Sequence, residues 1–499
     1  MSKVSPKVSM ISLGCPKNLV DTDTLLTKLG REGFLRTPDA EDADLVLVNT
    51  CGFIEAAKRE SVEEILKLKH ITKEGRKLLV FGCLAKRYGG ELKKEIPEID
   101  ALWGVGEEDK IVEYCRQIKS SVRSSELGDK INSELITPDS ELNTPNSSSY
   151  AYLKVAEGCS RGCTYCVIPS IRGPFRSMGP DEILKKAEEH ITSGVKELVL
   201  VAQDLGNYGR EYSGYGLSSL VRDISSLSGD FRIRLLYLNP SSINDELLSV
   251  VAGEKKVCKY LDIPLQHSED RILKAMGRGG TRRSITRMIR KIREAVPQIT
   301  LRTTFIVGFP GETEEDFKGL KDFIEKTGFE HLGVFTYSRE EGTSASKMKG
   351  HVPMKTRERR RDELMRLQSS ISLEKNKALV GKKFRALVDE VEGGTAIARL
   401  SSQAPEIDGV VILEDSTETR RHGDTEIKIQ GPRKAGSPRH RVIVSPFQKK
   451  LRPGEFVKVK IVDAYDYDLK GVLIDECRLM NAELKSRIQN PKSEIKNPQ

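Results

Sequence analysis

The sequence predicts an α/β protein of three units: a small parallel α/β domain over residues 1–119, a partial (β/α)6 barrel over 150–379 and a small β-barrel over 380–480. Three observations predict this. The chain has 499 residues, too many for one ordinary domain, and roughly 150 residues per domain suggests about three. Strand-length apolar runs alternate with helical patterns twice over, the mark of parallel sheets. Towards the end, strand-like runs follow one another without helices between them, as in a small barrel.

In the first unit the strands are VSMISLG, DLVLVN and KLLVFG, separated by amphipathic stretches near 18–30, 55–70 and 85–95. Residues 120–149 are rich in Ser, Asn, Thr and Pro without a sustained period, and predict a mobile linker. The second unit carries six strands, AYLKVA, ELVLVA, IRLLYL, YLDIPL, LRTTFIV and HLGVFTY, and ends in a charged helical segment over 355–379. KFRALVDEV, GVVIL and EFVKVKIVDA form the third. Its polar stretch 415–450, with Arg420, Arg421, Arg433, Lys434, Arg439 and Arg441, predicts an inserted loop, and 481–499 a disordered tail.

Hydrophobic residues make up 37% and charged residues 31%, which suits a protein that folds by burial. The sequence offers no apolar run of membrane-helix length and no signal-peptide pattern, so the expected address is cytoplasmic, with no membrane partner. In that compartment the nine cysteines are expected to be ligands, reactive groups or inert core residues rather than disulfides. The net charge of +9 favours an acidic partner such as ribonucleoprotein.

Cys159, Cys163 and Cys166 stand in VAEGCSRGCTYCVIP, directly after the first strand of the six-strand unit. Loops at strand carboxyl ends converge on one face and bind ligands there. Thiolates suit iron-sulfur clusters or zinc, but structural zinc usually takes four protein ligands and no fourth Cys or His follows nearby. Three cysteines on a four-iron cubane leave one iron open to a cofactor. The C-x-x-x-C-x-x-C spacing, with Tyr165 before its last cysteine, resembles the radical S-adenosylmethionine superfamily. That resemblance implies a 4Fe-4S cluster that binds S-adenosylmethionine and cleaves it reductively to a 5′-deoxyadenosyl radical.

Cys15, Cys51 and Cys83 are 36 and 32 residues apart, but each follows a predicted strand, in ISLGC, LVNTC and VFGC. Singly, each reads as a core cysteine. Together, three parallel strands would deliver three thiols to one sheet edge, a ligand set for a second cluster, with neighbouring glycines allowing close backbone approach. Cys115, Cys258 and Cys477 are read as inert packing.

With both triplets in view the chain resembles the methylthiotransferases, radical S-adenosylmethionine enzymes with an N-terminal three-cysteine domain, a central partial barrel and a C-terminal TRAM barrel. ISLGCPKNLVD, VNTCGFIEAA, CVIPSIRG, YLDIPLQHSEDRILKAM and APEIDGVV resemble the protein-modifying RimO branch; the tRNA-modifying MiaB branch is expected to read YGCQMN at the first cysteine. The resemblance implies methylthiolation of the β-carbon of an aspartyl residue in small-subunit ribosomal protein S twelve, met free or on the ribosome. It also implies two 4Fe-4S clusters, with S-adenosylmethionine as methyl donor and radical source, and a reductant protein. Methylthiolation of tRNA is the nearest alternative, and a non-catalytic iron-sulfur protein that binds ribosomes is another.

Further cofactor contacts are expected from Gln203 and Asp204 after ELVLVA, and from Gly308 and Gly311 in IVGFPGE, where plain turn roles serve equally well. His267 in PLQH could touch cofactor or substrate, although a hydrogen-bonded structural histidine is the preferred reading. The basic insertion 415–450 is either a solvated loop or a contact to ribosomal RNA phosphates.

Overall fold

The first run of strand and helix patterns folds as a five-stranded, wholly parallel sheet. In a computed structural model that describes residues 5–122, 149–392, 395–414, 425–429, 440–444 and 451–474, its elements are β1 (Lys7–Ser12), α1 (Pro16–Arg31), β2 (Leu35–Arg36), β3 (Leu45–Thr50), α2 (Glu55–Leu68), β4 (Lys77–Gly82), α3 (Cys83–Glu95), β5 (Ala101–Trp103) and α4 (Glu108–Val122). Strand order is β2-β1-β3-β4-β5. Every residue of β3 is buried, as expected of a central parallel strand covered on both faces. Val46, Val48 and Val80 pack with Ile65 of α2 and Leu84 of α3. Leu45, Leu47 and Phe81 point the other way, against Leu25 of α1 and Ile111 of α4. The period of two thus builds two cores from one strand.

The second alternation gives β6 (Tyr150–Lys154), β7 (Ala156–Glu157), α5 (Ile168–Arg172), β8 (Arg176–Ser177), α6 (Pro180–Thr192), β9 (Glu197–Val201), α7 (Leu217–Ser226), β10 (Arg232–Leu235), α8 (Asp245–Gly253), β11 (Val257–Asp262), α9 (Asp270–Ala275), α10 (Arg282–Ala295), β12 (Thr300–Val307), α11 (Glu314–Thr327), β13 (His331–Thr336) and α12 (Met354–Lys377). The six long strands lie in chain order, β6-β9-β10-β11-β12-β13, all parallel. Successive strand-helix-strand units, each new strand added beside the last, produce this partial barrel, the arrangement that right-handed crossovers favour.

The last strands are β14 (Lys383–Glu392), β15 (Thr395–Leu400), β16 (Val411–Glu414), β17 (Thr425–Ile429), β18 (His440–Val444), β19 (Phe456–Ala464) and β20 (Leu469–Leu473). Five of them close into a barrel in the order β14-β15-β16-β20-β19, around Ala386, Val388, Ala398, Val411, Val459 and Ile461. The inserted-loop reading of 415–450 needs correction, because β17 and β18 form an antiparallel ladder within it. TEIKI alternates β-branched and charged residues and HRVIV ends in three β-branched ones, strand patterns hidden by the surrounding basic charge. Residues 123–148 of the expected linker and the expected tail 481–499 lie outside the described residues, as does Cys477. By compactness the chain divides into residues 1–368 and 369–499. No described helix is long and apolar enough to cross a membrane.

Within the first unit, the five-stranded domain docks on loops at the carboxyl ends of the six-stranded sheet. After β13, the carboxylate of Glu340, only 1% exposed, accepts Arg87 Nη1 from α3 at 3.0 Å and Lys58 Nζ from α2 at 3.1 Å. Ser338 Oγ donates to the same carboxylate at 2.6 Å and accepts the Glu55 N–H at 3.2 Å. Burial works against the charge, but Ser338, Arg87 and Lys58 together hold the Glu340 carboxyl below the usual glutamate range. A carboxyl depressed in the folded state contributes stability that is present above its unfolded pKa, about 4.3, and lost as pH falls below it. Urea unfolding of Glu340→Gln is therefore expected to lose stability less steeply than wild type below about pH 4.3. Glu340→Ala, which leaves Arg87 without its carboxylate and Lys58 with Glu55 alone, is expected to cost roughly 3 kcal/mol at neutral pH.

Candidate metal centres

Sheet register brings the distant cysteines of the first domain together. Ser12 pairs with Asn49 and Thr50 with Gly82, so the chain leaves β1, β3 and β4 at one edge, and Cys15, Cys51 and Cys83 follow there. Asn18, fully buried, ties the edge: its Nδ2 donates to Leu13 O at 2.9 Å and to Thr50 O at 3.2 Å. The Sγ atoms of Cys15 and Cys83 each stand 3.9 Å from Asn18 Oδ1. Ser61 Oγ accepts the Cys51 N–H at 3.0 Å. Gly14 has φ +99°, and a Cβ there would sit 2.6 Å from Cys51 Cβ. This glycine lets the Cys15 loop pass Cys51, so its close approach is to protein.

The second triplet sits on a loop pinned across the barrel. The Cys159 N–H donates to Gly173 O at 3.1 Å, and Thr164 donates from N to Met276 O at 3.0 Å and from Oγ1 to Ala275 O at 2.8 Å. Arg161 reaches Asp204 Oδ2 after β9 at 2.6 Å and Ser241 Oγ after β10 at 2.9 Å. Arg278 binds Pro264 O after β11 at 2.5 Å, with Nη1 3.9 Å from Cys163 Sγ. Loop ends of successive strands therefore fix the thiols.

Burial pushes Cys51 and Cys166 up to about 12 and raises Cys83 and Cys159. For Cys15 burial is outweighed by Lys17 and Arg172, which hold the thiol below its ordinary value. Among the described residues no three His, Cys, Asp or Glu side chains converge on a single metal ion. Thiols that each take a different iron of one cluster stand farther apart than ligands of one ion. The donor set, three soft thiols in each group beside fixed cations, fits a cluster at both places.

The two triplets adjoin. Cys83 packs against Val167, the residue after Cys166, and against Ile171, together with Phe53 and Val105. A charge network joins the same surfaces. Arg172, at the end of α5, donates to Asn18 Oδ1 at 2.6 Å, Asp21 Oδ2 at 3.0 Å and Glu157 Oε1 at 2.9 Å. Lys154 pairs with Asp21, and with Glu157 at 2.8 Å. Burial opposes ionisation of Glu157, but Lys154 and Arg172 hold its carboxyl down to about 2.

The remaining expected site residues divide. Tyr165 packs with Ile272, Met276, Phe309 and Tyr337 beside the cysteine loop. Gln203 Nε2 donates to Glu157 Oε1 at 2.9 Å, and Asp204 holds Arg161, so both act on the loop's supports. Gly308 has φ +73°, and Arg357 Cγ fills the space of its Cβ at 2.0 Å. Gly311 donates to Gly350 O at 2.8 Å, so both glycines serve the turn. His267 is fully buried; its Nδ1 accepts the Glu269 N–H at 3.1 Å, and Nε2 faces Glu312 Oε2 at 3.6 Å. Cys115 and Cys258 are buried, Cys115 within the core under α4. Sequence reasoning missed Lys17, Asn18, Asp21, Glu157, Arg161, Arg172 and Arg278; only Lys17, Asn18 and Arg161 had a signal, as charged or amide residues beside cysteines in GCPKN and GCSRGC.

Comparison with known proteins agrees with the three units. Residues 7–104 match the model described as Uncharacterized protein family UPF0004, 153–324 the Radical SAM superfamily and 380–433 the TRAM domain. The chain is 49% identical over 466 residues, 93% of its length and 99% of the relative's, to the ribosomal protein uS12 methylthiotransferase RimO of Thermodesulfovibrio yellowstonii. It is 42% identical, over 93% of its length and 99% of the relative's, to that of a Thermoanaerobacter species. Among solved structures, the radical S-adenosylmethionine methyltransferase TsrM of Kitasatospora setae shares its fold at a TM-score of 0.51 and 15% identity, over 78% of this chain and 79% of that one. By the extent and level of these sequence matches, the chain belongs to the RimO family of ribosomal protein uS12 methylthiotransferases.

Proposed function

We propose that this protein attaches a methylthio group to the β-carbon of an aspartyl residue of ribosomal protein uS12, using two 4Fe-4S clusters and S-adenosylmethionine. The observation that carries this reading is the packing of one cysteine triplet directly against the other, with Cys83 on Val167. Two centres that must act on one carbon have to be neighbours. Cys159, Cys163 and Cys166 would hold the barrel cluster, and Cys15, Cys51 and Cys83 the cluster of the first domain. When bound, the first supplies the radical that takes hydrogen from an unactivated C–H bond, and the second supplies the sulfur.

The chain's own residues do the placing. Arg161 and Arg278 anchor the cysteine loop to the ends of β9, β10 and β11, which fixes the thiols relative to the barrel mouth. Asn18 and Arg172 set the first-domain thiols against that loop. Burial of Cys51, Cys83 and Cys159 keeps water from the space where a carbon radical would be quenched. Tyr165 closes the loop's inner side.

On this reading residues 1–119, 150–379 and 380–480 are the functional divisions. A reductant protein delivers the electron, the basic insertion 415–450 meets ribosomal RNA phosphates, and the work is done in the cytoplasm, where uS12 and reduced thiols are found. Gln203, Asp204, Gly308, Gly311 and His267 shape the cofactor's surroundings through the loops they hold.

Anaerobic reconstitution tests the division of labour. Cys163→Ala is expected to abolish 5′-deoxyadenosine formation; Cys51→Ala is expected to retain some cleavage while no methylthio group reaches uS12, as read by mass spectrometry. Normal methylthiolation by Cys51→Ala would refute the second cluster. Gly14→Ala forces a Cβ into Cys51 at a positive φ, and is expected to destabilise the first domain by roughly 1–3 kcal/mol with loss of about half the bound iron.

A further inference from the structure

Lys17 is the second residue of α1 and only 8% exposed. Its ammonium lies 3.7 Å from the centroid of the Tyr237 ring, which comes from the far side, beyond β10. Among the described residues no carboxylate or hydrogen-bond acceptor engages that ammonium. The nearby acids are already matched: Asp21 and Glu157 are shared by Lys154 and Arg172, two anions for two cations. Among the described residues no carboxylate contacts Lys17, whose neighbours are the Tyr237 ring and the Cys15 thiol.

Burial and the dipole of a helix N-terminus both oppose a cation here, whereas Tyr237, Cys15 and Glu157 favour it and hold the ammonium above the usual lysine range. The first turn of α1 holds no acidic residue, and no side chain caps it. Tyr237 is itself held at φ +64°, a conformation that costs a non-glycine residue about 1 kcal/mol or more, with its N–H bound to Asp262 Oδ2 at 3.1 Å. A nearly buried ammonium that no described carboxylate contacts and an uncapped helix end thus stand together two residues from Cys15, a combination suited to one carboxylate.

We propose that Lys17 is the specificity-determining anchor for the carboxylate of the substrate's aspartyl side chain. This rests on the reading above that uS12 is modified at an aspartyl residue. The β-carbon to be modified is bonded directly to that carboxylate, so fixing the carboxylate at Lys17 fixes the carbon beside Cys15 and against the barrel. The methionyl carboxylate of S-adenosylmethionine is the other source of the same chemistry, and the test separates them.

Two fluorescein-labelled uS12 peptides, one with the target aspartate and one with asparagine in its place, would be titrated anaerobically against reconstituted full-length wild type, Lys17→Met and Lys17→Arg. Wild type is expected to bind the aspartyl peptide at least about tenfold more tightly, the scale of a charge-assisted hydrogen bond. Lys17→Met is expected to bind both equally, and Lys17→Arg to restore part of the preference. Equal binding of the two peptides by wild type overturns the proposal, whatever the variants do. Weakened S-adenosylmethionine binding in Lys17→Met with the peptide preference intact also overturns it, and assigns the lysine to the cofactor. If wild type fails to methylthiolate the aspartyl peptide, the functional reading fails instead, and the peptide-binding comparison still judges Lys17.

Discussion

The arrangement depends on the buried Arg172 guanidinium. It stands at the end of a short helix only six residues beyond the last barrel cysteine, yet its partners Asn18 and Asp21 belong to the first domain. Taking two carboxylates and two cations out of water yields little net stability, because desolvation offsets most of their attraction. What such a network provides is register. An arginine fork satisfied by one geometry penalises every other docking of the first domain, since a shift would leave buried charge unmatched. Cys83 meets Val167 in the docking that satisfies it.

The same logic runs across the whole docking surface. Asp21 is held at the β6 side and Glu340 holds Lys58 and Arg87 at the β13 side, so the first domain is fastened at both ends of the six-stranded sheet. Between these fastenings lie the apolar contact of Cys83 with Val167 and Ile171 and the Lys17 ammonium, which no described carboxylate contacts.

The glycines illustrate how a correct sequence signal can have a different cause. Small residues beside the cysteines are required, but at Gly14 the close neighbour is Cys51, and at Gly308 it is Arg357. Both permit packing of protein against protein at positive φ. His267, for which a hydrogen-bonded structural role is the preferred reading of the sequence, is fully buried, with Nδ1 accepting the Glu269 N–H and Nε2 facing Glu312.

By itself the sequence determined the three architectures and both cysteine triplets, because these are local: strand periods, the ends of apolar runs and the spacing within one loop are written in consecutive residues. It also carried the family resemblance, since CPKN and CVIPSIRG are contiguous. The antiparallel pair β17 and β18 escaped because charge masked two short strand patterns. Only the tertiary structure decided which cations serve which carboxylates, that Asn18 lies between Cys15 and Cys83, and that no described carboxylate contacts Lys17. Those facts depend on contacts between residues as far apart as Asn18 and Arg172, and pairing over that distance is settled by packing and desolvation, not by any period along the chain.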